Sequence, residues 1–257
     1  QGKKSNVIGW WPSNPAEPIN GVMVSNLYQL ANKPLKEKWE MPDGTVHPKS
    51  MEDVLKEFRV HPEELTGNHL IPFIPNIKKI DTKKDKRVAS IAKILANAAS
   101  IHAASTYLQR ETEWDFMAIY HDAIDHFCHS AMKFHPPQRQ GIPDDVYENY
   151  KGVVEAGYMF HDMMLDRTLS IIDDNTTVII VSDHGFYSDH LRPRYLIKEP
   201  ASPAQEHSPY GIFCVKGPGI KKGEVIHGAS VLDLTPTILS LYDLPIGKNM
   251  EGKALTQ

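Results

Sequence analysis

Two stretches of the 257-residue sequence set carboxylates and imidazoles at the ends of apolar runs. YHDAIDHFCH, residues 120–129, follows FMAI, and VSDHGF, residues 181–186, follows TTVII. In the first stretch Asp125 and His129 stand four apart, and so do Asp122 and His126. On a turn of helix either pair puts an acid and an imidazole on one face, so spacing alone leaves the register open. One isolated pair of this kind is ordinarily a helical surface pair. Two such groups behind two strands are a different matter, and Asp183 and His184 form the second. His207, in QEHSPYGIF, precedes a further apolar run and is placed to reach the same edge. Two carboxylates and three imidazoles without cysteine are an oxygen and nitrogen donor set suited to Zn²⁺, with Mn²⁺ or Fe as rivals. Five ligands exceed what one tetrahedral catalytic ion needs, and they suit two divalent ions about 3.5 to 4 Å apart. The chemistry natural to such a pair is in-line displacement at phosphorus.

These residues need elements to hold them. TTVII reads as a strand buried on both faces, which predicts a parallel sheet with helices on either side. Asp183 and His184 then lie at its carboxyl end, the edge where open α/β sheets bind ligands. Gly185 lets the backbone turn sharply or approach a neighbour closely. SNVIGWW reads as a short strand that breaks into the loop PSNPAEP before GVMVS resumes an extended pattern. The segment from about Leu27 to Asp85 is rich in proline and charge and reads as an excursion, with one helix capped by Ser50. Val88, Ile91, Ile94, Leu95, Ala98 and Ile101 recur at helical spacing, WDFMAIY follows as a strand, and residues 147–172 carry a long helical pattern into TTVIIV. GIFCVKGPG is a strand with a turn, and Thr235 with Pro236 opens a last helix. This alternation predicts one α/β domain over residues 1–257, built on a mostly parallel central sheet with helices on both faces, with an excursion or cap at about 27–85.

Composition narrows the partners. The chain is 41% hydrophobic and 23% charged with a formal net charge of -4, which excludes disorder and argues against a nucleic acid polymer. The basic run KKIDTKKDKR, residues 78–87, reads as a solvated linker. No apolar stretch approaches the roughly 20 residues that span a bilayer, and no signal peptide stands at Gln1. Cys128 and Cys214 make neither a disulfide framework nor a thiolate site. Trp10 and Trp11 read as buried at a strand end rather than as a stacking surface, and His102 and His161 as packing residues of helices. His190 and His227 read as loop histidines, and Asp233 as a residue that satisfies backbone donors at a helix start.

YHDAIDHFCH, VSDHGF, HSPYGIFCVKGPGI and ASVLDLTPTILSLYDLPIGKNMEGKAL, in that order, resemble the alkaline phosphatase superfamily, specifically its type I phosphodiesterase and nucleotide pyrophosphatase branch. The resemblance runs from about Asn6 to the carboxyl terminus and is clearest from Trp114 onward. In that branch a tyrosine stands five residues before the ligating aspartate, so Tyr120 implies the register Asp125 and His129. His207 is then their third partner, Asp122 and His126 become neighbours, and Asp183 and His184 hold the other metal. The resemblance implies an alkaline-phosphatase-like fold, two divalent ions of zinc, manganese or iron, and a small phosphate-ester substrate, a diester or a nucleotide pyrophosphate. Sulfatase, phosphomonoesterase and phosphomutase are the alternatives within the superfamily, and a non-catalytic metal-binding module is the alternative of another class. Family members carry one further aspartate, in an Asp-Gly motif, and a serine or threonine nucleophile, both upstream of the region that SNVIGWWP resembles. Ser13, Ser25 and Thr45 sit in no strand-turn-helix context that exposes a hydroxyl. The expectation is therefore the carboxyl-terminal part of a longer protein, truncated at its N-terminus and inactive by itself. The compartment stays open, with a periplasmic or secreted parent among the options, and so does the oligomeric state.

Overall fold

The computed structural model describes residues 2–37, 39–193, 196 and 199–255. They form two compact units, residues 1–172 and 173–257.

The first unit is built on a four-stranded sheet of order β3-β2-β1-β4, with β1 at Ser5–Ile8, β2 at Gly21–Val24, β3 at Val46–His47 and β4 at Phe116–Ile119. β1 pairs in parallel with both β2 and β4, Ser5 lying opposite Gly21 and Phe116, whereas β3 runs antiparallel to β2. Alternation in the strands explains the layering: Asn6, Ile8, Val22 and Val24 are buried, and their neighbours along the chain only half so. Helix α3, Lys86–Glu111, lies against that face and fills the core with Ile101, Ala104 and Leu108, three residues on one helical stripe. Asp85 caps it by accepting from the Arg87 amide at 3.1 Å. The buried Asn6 is hydrogen-bonded through both ends of its amide: Oδ1 accepts from the Val22 amide at 3.1 Å and Nδ2 donates to Thr112 at 2.8 Å.

The proline-rich segment is less separate than its composition suggests. It contributes β3 to the sheet, and its two short helices, α1 (Glu52–Lys56) and α2 (Gly67–Leu70), send Leu55 and Leu70 into the interior. Ser50 lies inside a 3₁₀ turn, Lys49–Met51, that leads into α1, so it does not cap that helix. The unit closes with α4 (Ala123–Ala131), α5 (Asp144–Tyr150) and α6 (Val153–Leu169). The single helix expected over 147–172 is broken at Lys151–Gly152, because glycine is a poor helix interior residue and a tolerated cap.

The second unit holds β5 (Val178–Val181), β6 (Gly185–Phe186), β7 (His207–Ser208), β8 (Phe213–Lys216) and α7 (Leu234–Leu241). Here β5 pairs antiparallel with β8, and β6 antiparallel with β7. The parallel partner and two-sided burial expected for TTVII are not found within this unit, since every β5 side chain keeps some exposure and Val181 is 39% exposed. A β-branched run fits any pleated surface; the direction of its partner depends on how the chain returns. α7 begins at Leu234, so Thr235, expected as its cap, lies inside it ahead of Pro236, and Ser230 and Asp233 form the capping box of the preceding turn. Asp233 satisfies backbone donors as expected, accepting from the Ser230 and Lys253 amides at 2.8 Å each. Among the described residues no helix is long and apolar enough to cross a membrane.

Candidate metal centre

Helix α4 begins four residues after β4 ends, so its first turn stands just beyond the carboxyl end of a parallel strand. Its buried side is Ala123, Phe127, Cys128 and Ala131, which leaves Asp122, Asp125, His126 and His129 on the more open faces. Phe127 anchors it, stacking on Phe73 with ring centroids 5.2 Å apart and packing against Gly157 of α6, where an added Cβ would fall 2.7 Å from its ring. That close approach requires glycine at 157.

Both registers left open by spacing exist in the folded helix. Asp125 Oδ1 lies 3.4 Å from His129 Nε2, and Asp122 Oδ2 lies 3.3 Å from His126 Nε2. They differ in burial: the His129 side chain is 22% exposed and that of His126 is 51% exposed. The hydrogen bond with Asp122 comes first among the causes that raise the His126 pKa above its ordinary value. His126 thus behaves as the surface partner of an adjacent acid. Both separations fit a shared cation, because two ligand atoms held about 2.1 Å from one tetrahedral zinc stand about 3.4 Å apart, so burial alone sets the Asp125 and His129 pair apart.

In the second unit the loop after β5 carries Asp183 and His184, and β7 opens with His207. Pairing of β6 with β7 sets Phe186 opposite His207 and stacks the rings of His184 and His207, centroids 3.6 Å apart and 10° from coplanar. Phe186 meets both rings edge-on, at 5.7 and 4.8 Å. Asp183 Oδ1 is 3.8 Å from His184 Nε2, and its side chain is 77% exposed. Gly185 serves close approach rather than a turn: a Cβ there would meet Ser208 Oγ at 2.6 Å and the Tyr210 carbonyl at 2.8 Å. Of the expected ligands, Asp125 and His129 lie in the first unit, and Asp183, His184 and His207 lie around one short β-ladder in the second.

The sequence model of the type I phosphodiesterase / nucleotide pyrophosphatase family matches residues 1–193, three quarters of the chain. The chain belongs to this family. It lies within the alkaline phosphatase superfamily, which also holds sulfatases and phosphomutases. The chain is 34% identical over 83 residues to an extracellular sulfatase SULF-1 homolog of Drosophila melanogaster, covering 32% of this chain and 7% of that protein. Over 96 residues it is 26% identical to a 2,3-bisphosphoglycerate-independent phosphoglycerate mutase of Antithamnion sp., 37% of this chain and 18% of that protein. Over 100 residues it is 30% identical to arylsulfatase K of Gallus gallus, again 37% and 18%. The matched stretches thus span less than a fifth of each relative's length. No solved structure matches the chain significantly.

Sequence reasoning about this phosphodiesterase-family chain missed one cluster and misjudged another. His121, between β4 and α4, meets His161 of α6 edge-on at 5.8 Å, and His102 of α3 acts on both electrostatically. His102 Nδ1, His121 Nδ1 and His161 Nε2 are buried without hydrogen-bond partners, while His161 Nδ1 donates to the Gly157 carbonyl at 2.8 Å. Burial pushes His121 down to about 3, with the neighbouring His161 and His102 adding to it. Burial likewise lowers His102 and His161. The packing role expected for His102 and His161 agrees with this; His121 gave no periodic signal. Trp10 and Trp11, expected buried, are 46% and 66% exposed, and Trp10 lies against Tyr120 with centroids 5.6 Å apart. They follow β1 as Tyr120 follows β4, and adjacent parallel strands end side by side, so the aromatics gather at the strand ends instead of in the core. His190 and His227 are exposed, as loop histidines should be.

Proposed function

We propose that this chain supplies the metal-holding residues of a hydrolase that cleaves phosphate esters, diesters or nucleotide pyrophosphates, at a two-ion centre. Asp125, His129 and His207 hold one ion, and Asp183 and His184 share in holding the other. The observation that carries the reading is the Asp125 and His129 pair at the carboxyl end of β4, 3.4 Å apart through Oδ1 and Nε2, in a chain of the type I phosphodiesterase family. Divalent ions, when bound, would polarise a phosphoryl oxygen and ease ionisation of the attacking group. The protein's own part is orientation. Helix α4 fixes two donors on one face through the buried Phe127, and the β6–β7 ladder fixes two imidazoles through Phe186.

A sulfuryl ester is the second reading, favoured by the similarity to two sulfatases. Elemental analysis of the 257-residue chain purified without chelator tests the centre itself. Metal is expected in the parent, lost in His129→Ala and largely kept in His126→Ala. The reverse pattern assigns the site to Asp122 and His126, and a metal-free parent removes the proposal. Assays of an aryl phosphodiester beside an aryl sulfate, with added Zn²⁺ or Mn²⁺, separate the two readings.

A further inference from the structure

The basic run KKIDTKKDKR, expected as a solvated linker, is an ordered lobe of the first unit. Two hydrogen-bonded turns shape it: the Lys79 and Ile80 amides donate to the Asn76 and Ile77 carbonyls at 2.8 and 3.1 Å, and the Lys84 and Asp85 amides donate to the Asp81 carbonyl at 3.0 and 2.9 Å. Phe73, Ile74 and Ile77 are buried and anchor the lobe, while Lys78, Lys79, Lys83, Lys84 and Lys86 are exposed. Both aspartates of the run are already matched. Asp85 accepts from Arg87 Nε at 2.7 Å and Nη2 at 2.8 Å, and Asp81 pairs with Lys84 Nζ at 3.5 Å. Lys78, Lys79, Lys83 and Lys86 have no carboxylate partner among the described residues. Lys133 extends the patch, because its Nζ and the Arg87 guanidinium lie near the same Phe134 ring, 5.1 and 5.7 Å from its centroid. In a chain whose net charge is -4 the lobe is a local reversal of sign. A large anionic surface attracts such a face and repels the rest of the molecule, which fixes the orientation of approach. Directly ahead of the lysines stand exposed apolar residues: Ile71, 36% exposed, with Pro72 and Pro75. A soluble polyanion offers them nothing, whereas at a bilayer they enter the headgroup layer while the lysines stay with the phosphates.

We propose that this lobe is a docking surface for an anionic lipid bilayer. Lys78, Lys79, Lys83 and Lys86 supply the attraction to the headgroups, and Ile71 with its neighbouring prolines supplies a shallow apolar contact. The association is peripheral and reversible, since its apolar part is a few side chains and its charged part is screened by salt. None of the candidate metal ligands belongs to the lobe, so the proposal stands apart from the hydrolase reading.

The experiment is co-sedimentation of the 257-residue chain with vesicles over a range of lipid concentrations, in the presence of chelator so that no metal bridges protein and lipid. Vesicles of phosphatidylcholine containing about one third phosphatidylserine should bind the chain at low salt and release it at high salt, and pure phosphatidylcholine should not bind it. Lys78→Glu combined with Lys79→Glu should weaken binding by at least about 25-fold, since each lysine near an anionic surface is worth about fivefold. Lys78→Arg with Lys79→Arg should keep it. Lys221→Glu with Lys222→Glu makes the same change of net charge on exposed residues of the other unit and should leave binding in place. All these side chains are exposed, so the changes do not threaten the fold. Ile71→Ser should weaken vesicle binding by at least about threefold through lost apolar contact. No sedimentation, equal sedimentation with neutral vesicles, or full binding by the Lys78→Glu and Lys79→Glu variant would overturn the docking surface. Inorganic polyphosphate is the comparison probe. If it binds the lobe and Ile71→Ser sediments with vesicles like the parent, the lysines serve a soluble polyanion and the lipid assignment falls.

Discussion

Acid should unfold the first unit earlier than its carboxylates alone would dictate, and His121 is the reason. Its folded pKa is about 3 against an ordinary 6.5. Between those values the unfolded chain carries a proton on this ring that the folded chain lacks, so stability falls as pH falls, by about 1.36 kcal/mol per pH unit. From about pH 7.5 to about pH 4.5 the loss from this one group is about 2.7 kcal/mol, a sizeable share of the roughly 5–15 kcal/mol that holds an ordinary domain together. His102 and His161 are shifted in the same direction and add to it. Asp85 is held below the usual carboxylate range, by Arg87 first, so its contribution disappears only at lower pH and does not blur this window. The assay is urea unfolding of the chelator-treated chain at several pH values across the window, for the parent and His121→Gln. The variant should lose about one proton's worth of slope, about 1.36 kcal/mol per pH unit. Equal slopes would refute the reasoning, as would an NMR titration in which the His121 ring of the parent ionises near its ordinary value. The NMR measurement needs only the parent, so it decides the matter even where the variant folds poorly.

Other perturbations follow from contacts on the page. Gly157→Ala drives a methyl group into the Phe127 ring at 2.7 Å, and overpacking of this kind costs about 1–3 kcal/mol. Because Phe127 anchors α4, the same variant should weaken metal binding at Asp125 and His129, read by urea midpoint and by metal content. Asn6→Ala leaves the buried Val22 amide without its acceptor and should cost about 1–3 kcal/mol in urea unfolding. Asp233→Ala should speed hydrogen exchange at the Ser230 and Lys253 amides, which lose their acceptor, while amides of β1 and β4 in the other unit keep their protection.

The local code carried far in some places. Period-two burial in β1 and β2, the apolar stripe of α3, and the two Asp and His clusters behind apolar runs all follow from residue order, because side-chain period and propensity act over a few residues. The four-residue spacing in YHDAIDHFCH likewise sufficed to put both possible pairs on α4. What it lacked was any means to choose between them, since Asp122 with His126 and Asp125 with His129 are locally equivalent. Residue order alone made the pairs; the burial of His129 and the exposure of His126 come from the packing of Phe127 on Gly157 and Phe73, residues distant in the chain. The same limit explains TTVII, whose composition demanded a strand while the antiparallel return of β8 decided its partner. It explains Trp10 and Trp11, which look like core residues until β1 and β4 end side by side beneath them. It also explains the three histidines, 102, 121 and 161, which carry no common spacing and meet only because α3, β4 and α6 converge. Chemistry that depends on neighbours along the chain could be read from the sequence, whereas burial, strand direction and the meeting of remote side chains were decided by tertiary packing, where the energies of many weak contacts are summed across the fold.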